Sequence, residues 1–498
     1  MSELRSDLSA SELADIQGQS LYNADLAPVP STARQWGTWN IAALWIGMSV
    51  CIPTYMLAAG MIDAGMSWGQ AILTVLLGNL IVVVPIILVG HAGTKYGITF
   101  PVFARAAFGT GGAHVATLAR AIVACGWFGI QTWIGGLAIY QLLQLAWPSL
   151  SESVVIGFLS NDAVQVNVAQ FVCFLLFWLL NIGLFVWRGM DSIKWVENWG
   201  APLLITLGIA LFIWGYQAAG GLQPMLSQES KFEEAGQFWK VFFPQLTAMV
   251  GFWATLSLNI PDFTRQAKSQ RDQVLGQVLG LNTTMPLFAF IGVAVTGATV
   301  IVFGKPIWNP VDLLAEFDTV YVMVISIFAL LLATLTTNMA ANIVAPATAF
   351  SNIAPRVIGM RTGCLLTGIV GILMMPWKLL ADPSGYVFTW LIGYSALLGP
   401  IAAILICDYY VVRKTELDLA ELYRPRGRHR GFSPAAMFAL VLAVAINVPG
   451  FLGTIGILDA KGWASGFVAV YDYAWFLGFA IAFIAYLLSR SLSKEEPK

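Results

Sequence analysis

Trp253-Ala-Thr-Leu-Ser-Leu-Asn-Ile-Pro-Asp-Phe-Thr-Arg265 is the stretch on which the reading of this chain turns. It begins as an uninterrupted apolar helix and then meets Ile260-Pro261-Asp262. Proline removes a backbone donor and crowds the preceding turn, so a helix ends or kinks there. The expectation is a membrane span that breaks in its middle. In hydrocarbon, backbone groups freed by a break persist only where protein buries them or a cavity receives them. A tryptophan just ahead of such a break is a candidate binding surface. Trp45-Ile-Gly-Met-Ser-Val-Cys-Ile-Pro53 has the same layout, matching Trp253–Pro261 at Trp, Ser, Ile and Pro. Two broken helices are therefore expected at the centre of the fold.

The composition places both stretches in a bilayer. Of 498 residues, 58% are hydrophobic and 11% charged, and the mean hydropathy is +0.74. Soluble domains carry roughly a quarter charged residues, so the chain reads as an all-α polytopic membrane protein. Apolar runs long enough to span fall near 38–60, 68–90, 114–146, 166–187, 198–217, 242–261, 279–303, 319–347, 362–381, 386–409, 434–455 and 467–489, about twelve helices. Cys51, Cys125, Cys173, Cys364 and Cys407 all lie in apolar runs, which implies buried thiols and no disulfide framework. The first 35 residues lack the apolar core of a signal peptide and read as a cytoplasmic tail.

Basic residues set the orientation. With the N-terminus inside, the inner segments hold 20 of the 26 Lys and Arg and the outer loops five, while Arg120 sits at the inner start of the third span. Both termini are then cytoplasmic, in a cell inner (plasma) membrane. The loop 91–109 suits a short surface helix between spans two and three. The organisation expected is a cytoplasmic tail over 1–35, a first five-helix repeat over 36–217, a second over 242–409, a basic cytoplasmic loop over 410–433, two additional helices over 434–489 and a tail over 490–498. The matched breaks, five helices apart, point to inverted five-helix halves with substrate at the midplane. The basic loop reads as a lipid-headgroup anchor, not a nucleic-acid surface.

Polar residues deep in the spans are candidates for the chemistry. Trp127 and Gln131 share a helix face at i,i+4, and Gly135 continues it and permits close helix approach. The Gln131 amide both donates and accepts in one plane, as a lactam or nucleobase edge requires; its alternative role is a bond to another helix. Trp253 offers a second indole, and two facing indoles would hold a flat ring at roughly 1–3 kcal/mol per stacked face. In span eight, Asn338 and Asn342 share a stripe, with Thr337 about 140° round from Asn342. Thr336 and Thr337 could give hydroxyl oxygens to a hard cation, completed by carbonyls of an unwound span one; alternatively they bond back to their own helix. No Asp or Glu lies in the middle of the first ten spans, which favours a neutral substrate and Na⁺ over H⁺ as the coupling ion. Asp262, just past the break, reads as a local cap or ion-pair partner. His91, His114 and His429 do not cluster, and no P-loop, metalloprotease or nucleophile motif is found, so neither an enzyme nor a cofactor is expected.

With these residues in hand, the chain resembles the nucleobase:cation symporter family 1, which includes cytosine, purine, uracil, allantoin and hydantoin permeases. The likeness runs from about Trp36 to about Leu488. It is carried by Ile52-Pro-Thr-Tyr55, His91-Ala-Gly-Thr-Lys-Tyr-Gly97, Trp127-Phe-Gly-Ile-Gln-Thr-Trp133, Phe252-Trp-Ala-Thr-Leu-Ser-Leu-Asn-Ile-Pro-Asp-Phe263, Thr336-Thr-Asn-Met-Ala-Ala-Asn-Ile-Val-Ala-Pro346 and Leu398-Gly-Pro400. It looks most like the bacterial allantoin and plant plastid nucleobase branches.

The resemblance implies a five-plus-five inverted-repeat transporter fold with spans eleven and twelve outside it. It implies that Trp127 and Trp253 stack on the substrate ring, and that Gln131 and Asn342 read its amide edge, helped by the Phe252 backbone. It also implies a sodium site made of the carbonyls of Gly47, Val50 and Ala333 and the hydroxyls of Thr336 and Thr337. One position departs. The hydantoin branch has Gln, and allantoin permeases tend to have Asn, where this chain has Cys51, so span one contributes shape more than polarity there. The expected function is import of a neutral planar ring, uracil or another nucleobase first and allantoin or a hydantoin next, by a monomeric cation symporter. A membrane sensor without flux is the rival from another class.

Overall fold

The computed structural model describes residues 7–492 apart from 189, 318 and 382–384; for 188, 190–201, 340 and 386–388 it describes the path of the chain alone. Arg5, Lys494 and Lys498, counted above with the inner basic residues, lie outside the described residues, as do the side chains of Arg188 and Lys194.

Helices fill the twelve expected places in order. They are the pair α1 (Thr38–Ser49) and α2 (Ile52–Asp63), then α3 (Trp68–Tyr96), α4 (Phe100–Ala146), α5 (Val168–Arg188), α6 (Met190–Ala218), α7 (Ala235–Asn259) and α8 (Gln270–Phe303). There follow the pair α9 (Val320–Asn342) and α10 (Val344–Ile353), then α11 (Met360–Leu373), α12 (Ile392–Ile406) continued at both ends by π-helical turns, α13 (Pro434–Thr454) and α14 (Ala474–Leu492). Among the described residues nine helices are long and apolar enough to cross a membrane, α1 and α2 together form a tenth, and Pro202–Ala218 and Met360–Leu373 are shorter apolar helices.

The two expected breaks come out differently. Span one is broken: α1 and α2 meet at 57°, where Val50 (φ −81°, ψ 82°) and Cys51 (φ −145°, ψ 157°) leave the helical region. Pro53 then sits in the first turn of α2, where its missing N–H costs nothing. Span six is not broken in its middle. Its helix begins at Ala235, ahead of the expected 242, so Pro261 falls after a full-length span and only ends it. Trp253 therefore lies on continuous helix, and the correction follows from where the span starts, which hydropathy alone places poorly beside the mixed segment 235–241.

The surface helix expected in the loop 91–109 is present as the first part of α4. It is set off from the span proper by Gly109 at φ 81°. Asp262 does act as a cap, but for that helix: its Oδ1 accepts from the Phe100 backbone N at 2.8 Å. The N-terminal segment is ordered against the same face. Trp36 N donates to the Gln266 carbonyl at 2.9 Å and Lys268 N to the Trp36 carbonyl at 2.8 Å, which ties the entry of span one to the exit of span six.

Packing concentrates on small residues. A Cβ on Gly135 would run into the Phe177 ring of α5, and one on Gly129 would come within 2.5 Å of the Gly371 carbonyl of α11. Such close approach is how apolar helices gain contact when lipid offers no hydrophobic drive. The outermost helices α13 and α14 keep most of their surface toward lipid, exposing Phe438, Val441, Ile484 and Leu488.

Candidate substrate-binding site

The break in span one faces α4, α7 and α9 across a small cavity. Its wall includes Met48, Cys51 and Pro53 from the break, Trp127 and Gln131 from α4, Phe252, Trp253, Thr255 and Leu256 from α7, and Thr337, Ala341 and Asn342 from α9. All six residues expected to bind substrate (Cys51, Trp127, Gln131, Phe252, Trp253 and Asn342) line this one cavity. Its volume of about 30 Å³ leaves room for little more than a water molecule.

The aromatic walls are closed on one another. The Phe252 ring lies 5.2 Å from Trp127 and 4.9 Å from Trp253, both edge-on, so its side chain links the two indoles. The expectation for Phe252 concerned its backbone; the ring itself is part of the wall. Trp253 is held from behind by Trp45, edge-on at 5.0 Å, and its indole N–H points to the Met285 sulfur at 2.9 Å. Trp45 thus acts as a brace for Trp253. Trp390 and Tyr394, around the start of α12, pack on Trp127 at 5.9 and 6.4 Å. Sequence reading missed these two, along with Thr255 and Leu256, because contact across distant helices leaves no local pattern.

The polar wall is asymmetric. Asn342 Nδ2 donates to Asn338 Oδ1 at 3.0 Å. Asn338 in turn donates to the Phe128 carbonyl, Thr132 Oγ1 and Asn181 Oδ1 at 3.1–3.3 Å. Asn338 is fully buried and structural, while Asn342 Oδ1 is left as an acceptor at the cavity. The Gln131 side chain is 4% exposed and hydrogen-bonds to no described residue. Its amide lines the cavity and can offer an occupant both a donor and an acceptor. Cys51 Sγ is in contact with Thr54 Oγ1 at 3.2 Å and offers the cavity little polarity.

The residues expected to hold a cation stand beside this wall. Thr336 Oγ1 and Thr337 Oγ1 both donate to the Ala333 carbonyl, at 2.7 and 3.1 Å. This is the own-helix bonding weighed above as the alternative to cation ligation; each hydroxyl oxygen keeps lone pairs that this bond does not use. Gly47 lies in the last turn of α1 and Val50 caps its end. Ser49, between them, is fully buried, and its hydroxyl has no partner among the described residues. Its signal in the sequence was only its place inside the repeated Trp-Ser-Ile-Pro pattern.

Arg120, left out of both sides of the charge count, is buried between α4 and α7. It is 2% exposed, and its Nε donates to the Thr255 carbonyl at 2.8 Å and Asn259 Oδ1 at 2.9 Å. It therefore fastens the end of α7 to α4. Asp262, beside it, is buried; loss of hydration raises its carboxyl to about 6, against the opposing pull of the Phe100 N–H and of Arg265 and Arg120.

Residues 28–478 match the family described as permeases for cytosine/purines, uracil, thiamine and allantoin. The chain belongs to this family. Among relatives of this permease, the purine-uracil permease NCS1 of Arabidopsis thaliana is 47% identical over 96% of this chain and 79% of its own. The allantoin permease of Bacillus subtilis (strain 168) is 38% identical over 95% of this chain and 94% of its own. Among solved structures, Mhp1, a nucleobase-cation-symport-1 family transporter in a closed conformation with bromovinylhydantoin bound, superposes with a TM-score of 0.76. It is 25% identical, with 96% of this chain and 97% of that chain covered. The permease thus has the inverted-repeat transporter fold.

Proposed function

We propose that this permease is a secondary active transporter that imports a neutral planar ring, uracil or another nucleobase, by cation symport with alternating access. The observation that carries the reading is the pairing of the unpartnered Gln131 amide with the Asn342 acceptor in a cavity walled by Trp127, Phe252 and Trp253. A lactam edge presents a donor and an acceptor side by side, which these two side chains complement. Indole and phenyl faces supply the stacking. No ionised side chain lines the cavity among the described residues, which suits a neutral solute.

In this role Trp127 and Trp253 stack on the ring, Gln131 and Asn342 read its edge, and Cys51 limits its size. A cavity of about 30 Å³ cannot admit the ring unopened, so Trp390, Tyr394 and Phe252 must part from Trp127 on loading. That is the behaviour alternating access requires. The coupling cation, Na⁺ in preference to H⁺, would sit between the carbonyls of Gly47, Val50 and Ala333 and the hydroxyls of Thr336 and Thr337. Oxygen-only ligation suits a hard cation, and the orphaned Ser49 hydroxyl lies in the same segment. The protein acts as a monomer in the plasma membrane with both termini cytoplasmic, the orientation the basic residues favour.

The likeness to the Bacillus allantoin permease makes allantoin the second ring to test, and a hydantoin the third. Uptake of radiolabelled uracil into proteoliposomes, with unlabelled allantoin, hydantoin and purines as competitors and with or without a Na⁺ gradient, decides among them. Saturable uracil uptake that rises with the gradient is expected; absence of counterflow with every ring would point to a sensor instead.

A further inference from the structure

The most basic loop of the chain is folded onto a joint. Thr110 N donates to the His429 carbonyl at 2.6 Å, Gly111 N to the Gly431 carbonyl at 2.7 Å and Ser433 N to the Phe108 carbonyl at 2.8 Å. Residues 429–433 are thereby laced across the Gly109 kink of α4, where only the glycine takes its φ of 81° without strain. Between this joint and the C-terminal end of α14 lies a cavity of about 400 Å³, lined by Arg413, Arg428, His429, Arg430, Tyr486 and Arg490 among others.

Among the described residues, Arg428 and Arg430 are the lining arginines with no hydrogen-bond or salt-bridge partner. Arg413 is neutralised: its Nε meets Asp408 Oδ2 at 2.7 Å, its Nη2 donates to the Ala106 carbonyl at 2.8 Å, and Tyr486 holds the other Asp408 oxygen at 2.7 Å. Glu421, the next carboxylate, accepts from Arg424 at 2.8 Å and from the Arg428 backbone N at 2.9 Å. The Arg428 and Arg430 side chains are exposed and make no hydrogen bond or salt bridge to any described residue. The His429 ring, in the same wall, is pushed down to about 4 by burial first and then by Arg413, with Arg428 and Arg490 adding to it against Glu421. His429 therefore contributes no charge at neutral pH, and Arg428 and Arg430 are left to meet an anion.

The cavity opens beside apolar surface. Phe432, in its wall, is 60% exposed, and Phe438 and Val441, exposed on the side of α13 that carries the lining residue Pro434, lie next along that helix. Guanidinium forks suit phosphate oxygens, and basic pockets at helix ends beside lipid are where anionic headgroups dock. We propose that this cavity binds the phosphate of an anionic phospholipid, with Arg428 and Arg430 on the headgroup and Phe432 and the outer face of α13 on the acyl chains. The site requires only that these helix ends lie at the bilayer surface, and it is independent of which ring is transported. Because the loop that forms it clamps α4, which carries Trp127 and Gln131, an occupied site stiffens the joint ahead of the substrate cavity.

The test is native mass spectrometry of the full chain purified in detergent, offered phosphatidylglycerol and phosphatidylcholine in equal amounts. Preferential retention of phosphatidylglycerol is expected, with about a tenfold loss of that preference in Arg428→Gln/Arg430→Gln and none in Lys414→Gln, a charge change in the same loop outside the cavity. Arg490→Gln should weaken retention independently and guards against misfolding of the double variant. Equal retention of the two lipids, or a preference unchanged in the double variant, overturns the proposal. If millimolar inorganic phosphate raises the melting temperature through Arg428 and Arg430 while phosphatidylglycerol does not, the ligand is a soluble anion and the lipid assignment fails.

Discussion

Asn338 Oδ1 accepts the Asn342 amide at 3.0 Å, one helical turn away, so an asparagine that never meets the cavity orients one that does. The two separate cleanly by mutation. Asn338→Ala strips partners from Asn342, Asn181 and Thr132 at once, and leaving buried polar groups unpaired costs roughly 1–3 kcal/mol. A lowered melting temperature with weakened uptake is expected. Asn342→Ala should weaken ring binding while moving the melting point little, and thermal scans run beside uptake assays read both quantities.

Gln131→Ala removes the amide that has no protein partner. Its loss should cost the ring about 1–3 kcal/mol of binding, roughly a tenfold or greater rise in Kd, with folding unharmed or improved. Cys51→Ala, by contrast, should change Kd by less than about threefold, because the sulfur is a weak partner already in contact with Thr54. Equilibrium binding of labelled uracil to purified protein compares the two; a larger loss for Cys51 would move the polar reading of the ring to span one.

Asp262 supplies a pH test. Its carboxyl is raised by burial from its ordinary 3.8 to about 6. Between these values the folded state holds a proton that the unfolded state has released, so this group's contribution to stability falls as pH rises from about 4 to about 6. The full cost above that window is about 3 kcal/mol. Asp262→Asn can still accept from the Phe100 N–H and should abolish this slope. Melting curves of both proteins from pH 4 to 7 should diverge, with the variant relatively more stable at the upper end.

Gly93 marks where α3 meets the end of span six. A Cβ there would lie 2.7 Å from Pro261 Cα and 3.0 Å from the Pro261 carbonyl. Gly93→Ala should therefore destabilise by about 1–3 kcal/mol through overpacking. Gly69→Ala, in the same helix with nothing within 4 Å of its Cβ, should be neutral or stabilising by up to about 1 kcal/mol. Differential scanning of the two variants checks the contrast.

The sequence by itself determined the bilayer setting, the twelve places for helices, the surface helix before span three and a break in span one, which the structure places at Val50–Cys51. Each rests on local chemistry: a run of apolar residues, a glycine, or a proline. It also singled out Trp127, Gln131, Trp253 and Asn342, because amides and indoles deep in spans are rare enough to stand out one at a time. Only the tertiary structure decided what those residues do to one another. Phe252 bridges the indoles, Trp45 braces Trp253, and Trp390 and Tyr394 close on Trp127 from a helix more than 250 positions away. The same holds for Trp253–Pro261: its proline signals an end to the helix, but whether that end falls in mid-span depends on where the helix starts. The start at Ala235 put Pro261 beyond the span, so the repeated pattern yields a broken helix in the first half and an intact one in the second.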